Sequence, residues 1–138
     1  MFDGFVPHRG VGAYAFGMTR EACIAALGPP DAAREFAGRK AVTWGTIEAW
    51  FSADRLVELW CLPGTPLTVA GIDLVGDKAA HEKLLAAHAG ATQHGRYVNF
   101  PSLGLCLCGF GKSSKVANRM AILYAPVAAK AVSFLGTV

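Results

Sequence analysis

The chain has 138 residues, enough for one domain with its own core. Hydrophobic residues make up 53% and charged residues 17%, which excludes a disordered chain. The net charge is only +3, and no Lys/Arg cluster alternates with aromatics along one element, which speaks against a nucleic-acid partner.

The first residues, MFDGFVPHR, do not have the charged start and apolar run of a secretory signal. No apolar run reaches the roughly 18 residues of a membrane span. The expectation is a cytoplasmic protein with no membrane contact. Its four cysteines, Cys23, Cys61, Cys106 and Cys108, are then expected as free, small apolar residues.

A glycine-punctuated segment, residues 10–17, opens the chain. Thr19 follows as an N-cap, with Glu21 in the first turn, where a negative charge suits the helix dipole. Residues 22–27 read as a short helix. Gly28 supplies its stop, and Pro29-Pro30 forbids continuation.

The period then changes to two. Residues 40–44 form one strand candidate, and residues 46–51 with 56–62 form a hairpin. Two registers are available to it. A three-residue loop, 53–55, puts Ile47, Ala49 and Phe51 on one face with Val57, Leu59 and Cys61. Glu48, Trp50, Glu58 and Trp60 then share the other face. A two-residue loop sets Ala49 beside Glu58 and mixes the faces. Because a one-residue slip moves every side chain, the segregated register is preferred.

The order of elements then repeats. GIDLVG leads into Asp77, a second N-cap candidate. Residues 78–89 read as a helix with Ala80, Leu84 and Ala87 on one stripe, and Gly90 ends it. Strand candidates follow at 96–100, 103–110 and 116–124. Pro126 suits the first turn of a last helix over 126–135, with Val127, Ala131, Phe134 and Leu135 on one side. The expected fold is a single α+β domain over residues 1–138. Two helix-plus-three-stranded-meander units, about 10–70 and 71–125, give one antiparallel sheet of about six strands. The helices lie on one face, and the opposite face is left for a partner.

The stretch CLCGFGKSS, residues 106–114, contains a Gly-Lys-Ser and a Cys-x-Cys. A phosphate loop needs a glycine five residues before Gly111, and Cys106 stands there. The loop must also open a helix, whereas the next segment reads as a strand. A structural zinc site needs about four ligands, and no second cysteine pair accompanies Cys106 and Cys108. No metal, cofactor or nucleotide is expected, and no catalytic residue is assigned. A small enzyme or metal-binding domain using Cys106 and Cys108 is kept as the alternative.

GVGAYAFGMTREACIAALGPPD resembles the opening of small bacterial helix-plus-meander repeat domains, GTIEAWFSADRLVELWCL the hairpin that follows, and GIDLVG the link to a second unit. The chain thus resembles the immunity proteins found beside bacterial polymorphic toxins. It is similar in layout to the β-lactamase inhibitory protein and to the modules of outer-membrane assembly lipoproteins. The resemblance implies a non-enzymatic binding protein that blocks a cognate toxin by occlusion. A homodimeric structural domain of unknown role, pairing through the same sheet face, is kept as a separate alternative. Glu48, Trp50, Glu58 and Trp60 are the expected partner-binding residues. The two glutamates, as rim charges, would favour a partner with a basic cleft.

Overall fold

The computed structural model describes residues 4–110, 115 and 118–129. A two-stranded ribbon, β1 (Gly10–Val11) with β2 (Tyr14–Ala15), precedes helix α1 (Arg20–Leu27). Strands β3 (Ala32–Phe36), β4 (Arg39–Trp44), β5 (Ile47–Ser52) and β6 (Arg55–Cys61) follow. A second small ribbon, β7 (Thr68–Val69) with β8 (Ile72–Asp73), leads to helix α2 (Ala80–Ala87). Then come β9 (Thr92–His94), β10 (Tyr97–Phe100), β11 (Leu105–Cys108) and β12 (Met120–Tyr124). The fold is α+β. Its main sheet has eight strands in the order β3-β4-β5-β6-β12-β11-β10-β9, and every pairing is antiparallel.

The sheet is wider than the six strands expected because β3 and β9 lie at its two edges. All five residues of β3 are exposed. Burial of alternate side chains creates the period-two signal, so an exposed edge strand leaves little trace in a sequence.

Helix α1 follows its local code. The Thr19 hydroxyl accepts the Ala22 amide at 3.1 Å, and Gly28, at φ 86°, donates its N–H to the Ile24 carbonyl at 2.8 Å. Helix α2 is shorter than expected. Asp77 does not cap it; its carboxylate accepts the Ala79 amide at 2.9 Å and closes a turn before the helix. Gly90 does not end it either, since the chain is already extended at His88. Leu84 and Ala80 are fully buried, but Ala87 is exposed. Ala87 is the last helical residue, and the stripe it shares with Ala80 and Leu84 is exposed at that end.

The core lies between both helices and one sheet face. Cys23, Ala80 and Leu84 pack there with Val42, Ile47, Leu59, Val98, Leu105, Leu107 and Leu123. Strand alternation puts Trp60, Cys106, Cys108, Ile122 and Tyr124 on the other face, in a second cluster with Val57 and Ala128. Strands β6 and β12 join the two halves, with Trp60 opposite Ile122 and Leu59 opposite Leu123. Phe110 does not share the face of Cys106 and Cys108. The strand ends at Cys108, Gly109 turns at φ 81°, and Phe110 enters the core beneath α2.

The β5–β6 hairpin uses both registers considered for it. Ile47 pairs with Cys61 and Ala49 with Leu59, so the body is segregated as expected. Beyond Trp50 the register shifts: Phe51 pairs with Leu56 and Ser52 with Arg55. The turn is therefore the two-residue Ala53-Asp54, with φ 49° and 57°. A bulge absorbs the difference, and Val57 is its extra residue. Leu56 takes the core position expected of Val57, and Val57 joins the opposite face.

Pro126–Ala128 form a single 3-10 turn with Pro126 in its first turn. Val127 is 80% exposed, not part of an inward stripe. Residues 130–138, which include the rest of the expected final helix, lie outside the described residues. So do residues 111–114 of the CLCGFGKSS stretch and residues 116–117 of the expected strand.

Candidate functional site

The sheet face away from the helices carries a compact group of charged and aromatic side chains. Register places them. Arg34 on β3 stands opposite Ala41 on β4, which stands opposite Trp50 on β5, which stands opposite Glu58 on β6. Paired residues of antiparallel strands share a face. Phe36 and Arg39, paired across the β3–β4 turn, lie on this face too, as do Glu48 and Trp60.

Trp50 is the centre of the group. It is only 3% exposed. Its indole N–H donates to Glu48 Oε1 at 3.0 Å, and the Trp60 indole N–H donates to Glu58 Oε1 at 2.9 Å. The two carboxylates also accept from arginines: Arg34 Nη2 donates to Glu48 Oε1 at 2.8 Å and Arg39 Nη2 to Glu58 Oε2 at 2.6 Å. Both guanidinium carbons lie over the Trp50 ring, at 5.1 Å for Arg34 and 5.0 Å for Arg39. Such stacking supplies cation–π attraction and fixes the planes of the guanidinium groups. The indoles of Trp50 and Trp60 are themselves in tilted contact at 5.1 Å.

All four expected partner-binding residues are thus brought together, but their exposure differs from the expectation. Trp60 is half-buried and Trp50 is buried. Glu48 and Glu58 are not rim charges: their side chains are 12% and 3% exposed. The arginines above them are 57% and 28% exposed. The face therefore shows cations outward and holds its anions beneath. Arg34, Phe36 and Arg39 were not among the expected site residues. The signal for them was their alternation with Ala33, Glu35 and Lys40 around the two-residue turn Ala37-Gly38, whose φ values of 52° and 76° fit a hairpin. A cleft of about 200 Å³ adjoins this group, lined by Arg39, Ser52, Val57, Glu58, Val127 and Ala128.

The cysteines are placed for packing. All four are free and buried. Burial pushes the Cys23 thiol up to about 11 and the Cys61 thiol up to about 12. A hydrogen bond with Cys106, and burial after it, push the Cys108 thiol up as well. Raised values disfavour the thiolate, which is the nucleophilic and metal-binding form. Among the described residues, no group of three or more His, Cys, Asp or Glu side chains is placed to hold a metal ion. No described helix is long and apolar enough to cross a membrane.

His81 is buried on α2, its ring 5.6 Å from Phe110, and the Arg119 guanidinium lies 5.9 Å from the same ring. Arg119 also donates to the Gly76 carbonyl at 2.9 Å. This second cluster faces the core and ties the chain after β11 to the α2 side.

No protein-family model matches this chain, and no curated protein matches it. Among solved structures, the chain is similar to a cysteine-rich secretory protein from Staphylococcus aureus subsp. aureus Mu50, with a TM-score of 0.54 and 12% identity. The likeness covers 88% of this chain and 48% of that one, so this chain spans about half of that protein's length. At this identity the likeness is one of fold.

Proposed function

We propose that this chain is a binding protein of the immunity or inhibitor kind, which occludes a cognate bacterial toxin with the helix-free face of its sheet. The observation that carries the reading is the Arg34–Trp50–Arg39 stack, held from below by Glu48 and Glu58. Arginine is among the residue types that dominate interface hot spots, and buried Trp50 is the platform that holds two of them. Fixing the guanidinium groups before contact lowers the entropy lost on association. A fold alone does not assign a function, so the weight rests on this group.

The two-unit layout belongs to the same proposal. One unit is α1 with β3 to β6, the other α2 with β9 to β12, joined through β6 and β12. The consecutive antiparallel pairing within each run supports it, with four strands per unit in place of three. Cytoplasmic action is likewise part of the proposal.

The test is genetic. The gene beside this one is induced alone and then together with this chain. The reading expects the neighbour to arrest growth and this chain to restore it by direct binding. A harmless neighbour, or arrest that this chain does not relieve, would overturn it.

A further inference from the structure

We infer that the occupant of the helix-free face is an acidic protein surface, and that Arg34, Arg39 and Phe36 are the residues that meet it. The inference deepens the binding reading by naming the partner's chemistry. Among the described residues, the charged side chains linked in this group are Arg34, Arg39, Glu48 and Glu58. The two carboxylates are nearly enclosed, each occupied by an arginine and an indole N–H. The two arginine side chains are the more exposed members, Arg34 exposed and Arg39 partly so. A guanidinium carries five N–H donors, and each arginine is bonded to its glutamate through one nitrogen. Donors remain on both for a carboxylate arriving from solvent.

Glu35 and Lys40 do not alter this balance. They pair with each other across β3 and β4 and, by alternation, project from the helix-side face. Beside the arginines stands an apolar contact. Phe36 is 65% exposed, and it neighbours Arg39 directly across the turn. Val127, on the far rim of the adjoining cleft, is exposed as well. An exposed aromatic flanked by fixed guanidinium groups suits a partner segment in which carboxylates flank an apolar side chain.

A second copy of this chain is the poorer fit. A two-fold interface on this face would set the same patch against itself and bring guanidinium groups toward guanidinium groups. Nucleic acid is a poorer fit too, because two arginines bound to buried carboxylates do not make a track along a phosphate backbone.

The experiment uses the full chain and a short synthetic peptide in which a leucine is flanked by glutamates, titrated by calorimetry at low salt. Comparison ligands are the same peptide with lysines for glutamates, inorganic phosphate and single-stranded DNA. Variants are Arg34→Gln, Phe36→Ser and, as a charge-matched control far from the face, Lys78→Gln. Arg34 and Phe36 are exposed, and melts confirm that each variant is folded. Saturable binding of the glutamate peptide is expected, at least about tenfold weaker in Arg34→Gln and Phe36→Ser and unchanged in Lys78→Gln. Sedimentation is expected to show no self-association through this face. The inference is overturned by any of four results. These are no binding, equal binding of the lysine peptide, phosphate or DNA as tight as the peptide, or a Lys78→Gln loss equal to that of Arg34→Gln. A dimer that Phe36→Ser dissociates would also overturn it. Growth rescue with failed peptide binding sinks this inference alone. Peptide binding at Arg34 with failed rescue sinks the toxin reading alone.

Discussion

Trp50 and Trp60 lie on neighbouring strands with their ring centroids 5.1 Å apart and their planes inclined at 37°. Each donates its indole N–H to a glutamate two residues earlier in its own strand. The pair is thus stapled along each strand and stacked between strands. The two rings differ in cover, since the arginines of β3 and β4 lie over Trp50.

The difference has a measurable consequence. Trp50→Ala removes a buried ring and one of the two donors to Glu48, the other being Arg34, so a loss of about 3–5 kcal/mol is expected. Trp60→Ala is expected to cost clearly less, because its ring is half-buried. Urea unfolding of the two variants decides the matter. Equal losses would mean that the arginine cover contributes nothing to Trp50.

Helix packing gives a second comparison. Leu84 is fully buried between α2 and the sheet, and Leu84→Ala should destabilise by about 2–5 kcal/mol. Leu27, at the end of α1, is only partly buried against the same core. Leu27→Ala should therefore cost about 1 kcal/mol, as partial burial of similar atoms implies. Thermal melts in which Leu27→Ala is the more damaging would show that α1, not α2, carries the helix-side core.

Sequence periodicity located the inner strands and α2 because burial writes the pattern, whereas the Thr19 cap and the Gly28 stop located α1. Ile47, Ala49, Leu59 and Cys61 alternate for that reason, and so do Leu105 and Leu107. It missed β3 and β9, which lie at the edges. It placed Glu48, Trp50, Glu58 and Trp60 on one face correctly, since a face follows from parity alone. Exposure does not follow from parity. What covers Trp50 comes from Arg34 and Arg39, about 11 to 16 residues away in the chain on strands whose pairing had to be known first. The bulge at Val57 was hidden for a related reason. Body and turn demanded different registers, and one chain satisfied both with an extra residue.

That turn offers a third prediction. Ala53 and Asp54 both have positive φ, at 49° and 57°, a region unfavourable to side chains with a Cβ. Glycine adopts it without that penalty. Ala53→Gly is therefore expected to stabilise the protein by about 1 kcal/mol despite glycine's larger unfolded-state entropy. Asp54 is retained in the test because its carboxylate accepts the Arg20 amide. Denaturant unfolding reads the shift, and a destabilised variant would argue that the turn is not of this type.

The last prediction concerns alkaline pH. Burial holds the Cys23 thiol at about 11 and the Cys61 thiol at about 12, against ordinary values near 9.0. Burial likewise raises Tyr14 and Tyr124 from 10.0 to about 12. In each case the folded protein holds its proton more tightly than the unfolded chain. Below about pH 8 both states are almost fully protonated, and these groups leave stability independent of pH. Above it the unfolded chain releases protons first, so stability falls as pH rises, until the folded groups also ionise near pH 11 to 12. Urea midpoints measured between pH 7 and pH 11 should be level at first and then decline. Cys61→Ala removes one contributor, so its curve should decline less steeply, although the variant starts from lower stability because a buried side chain has been shortened. In the native protein at pH 8, a thiol reagent should label the cysteines only after denaturant is added, since burial denies both access and thiolate. Rapid labelling without denaturant would mean that Cys23 or Cys61 reaches solvent, and the alkaline decline would then lose its cause.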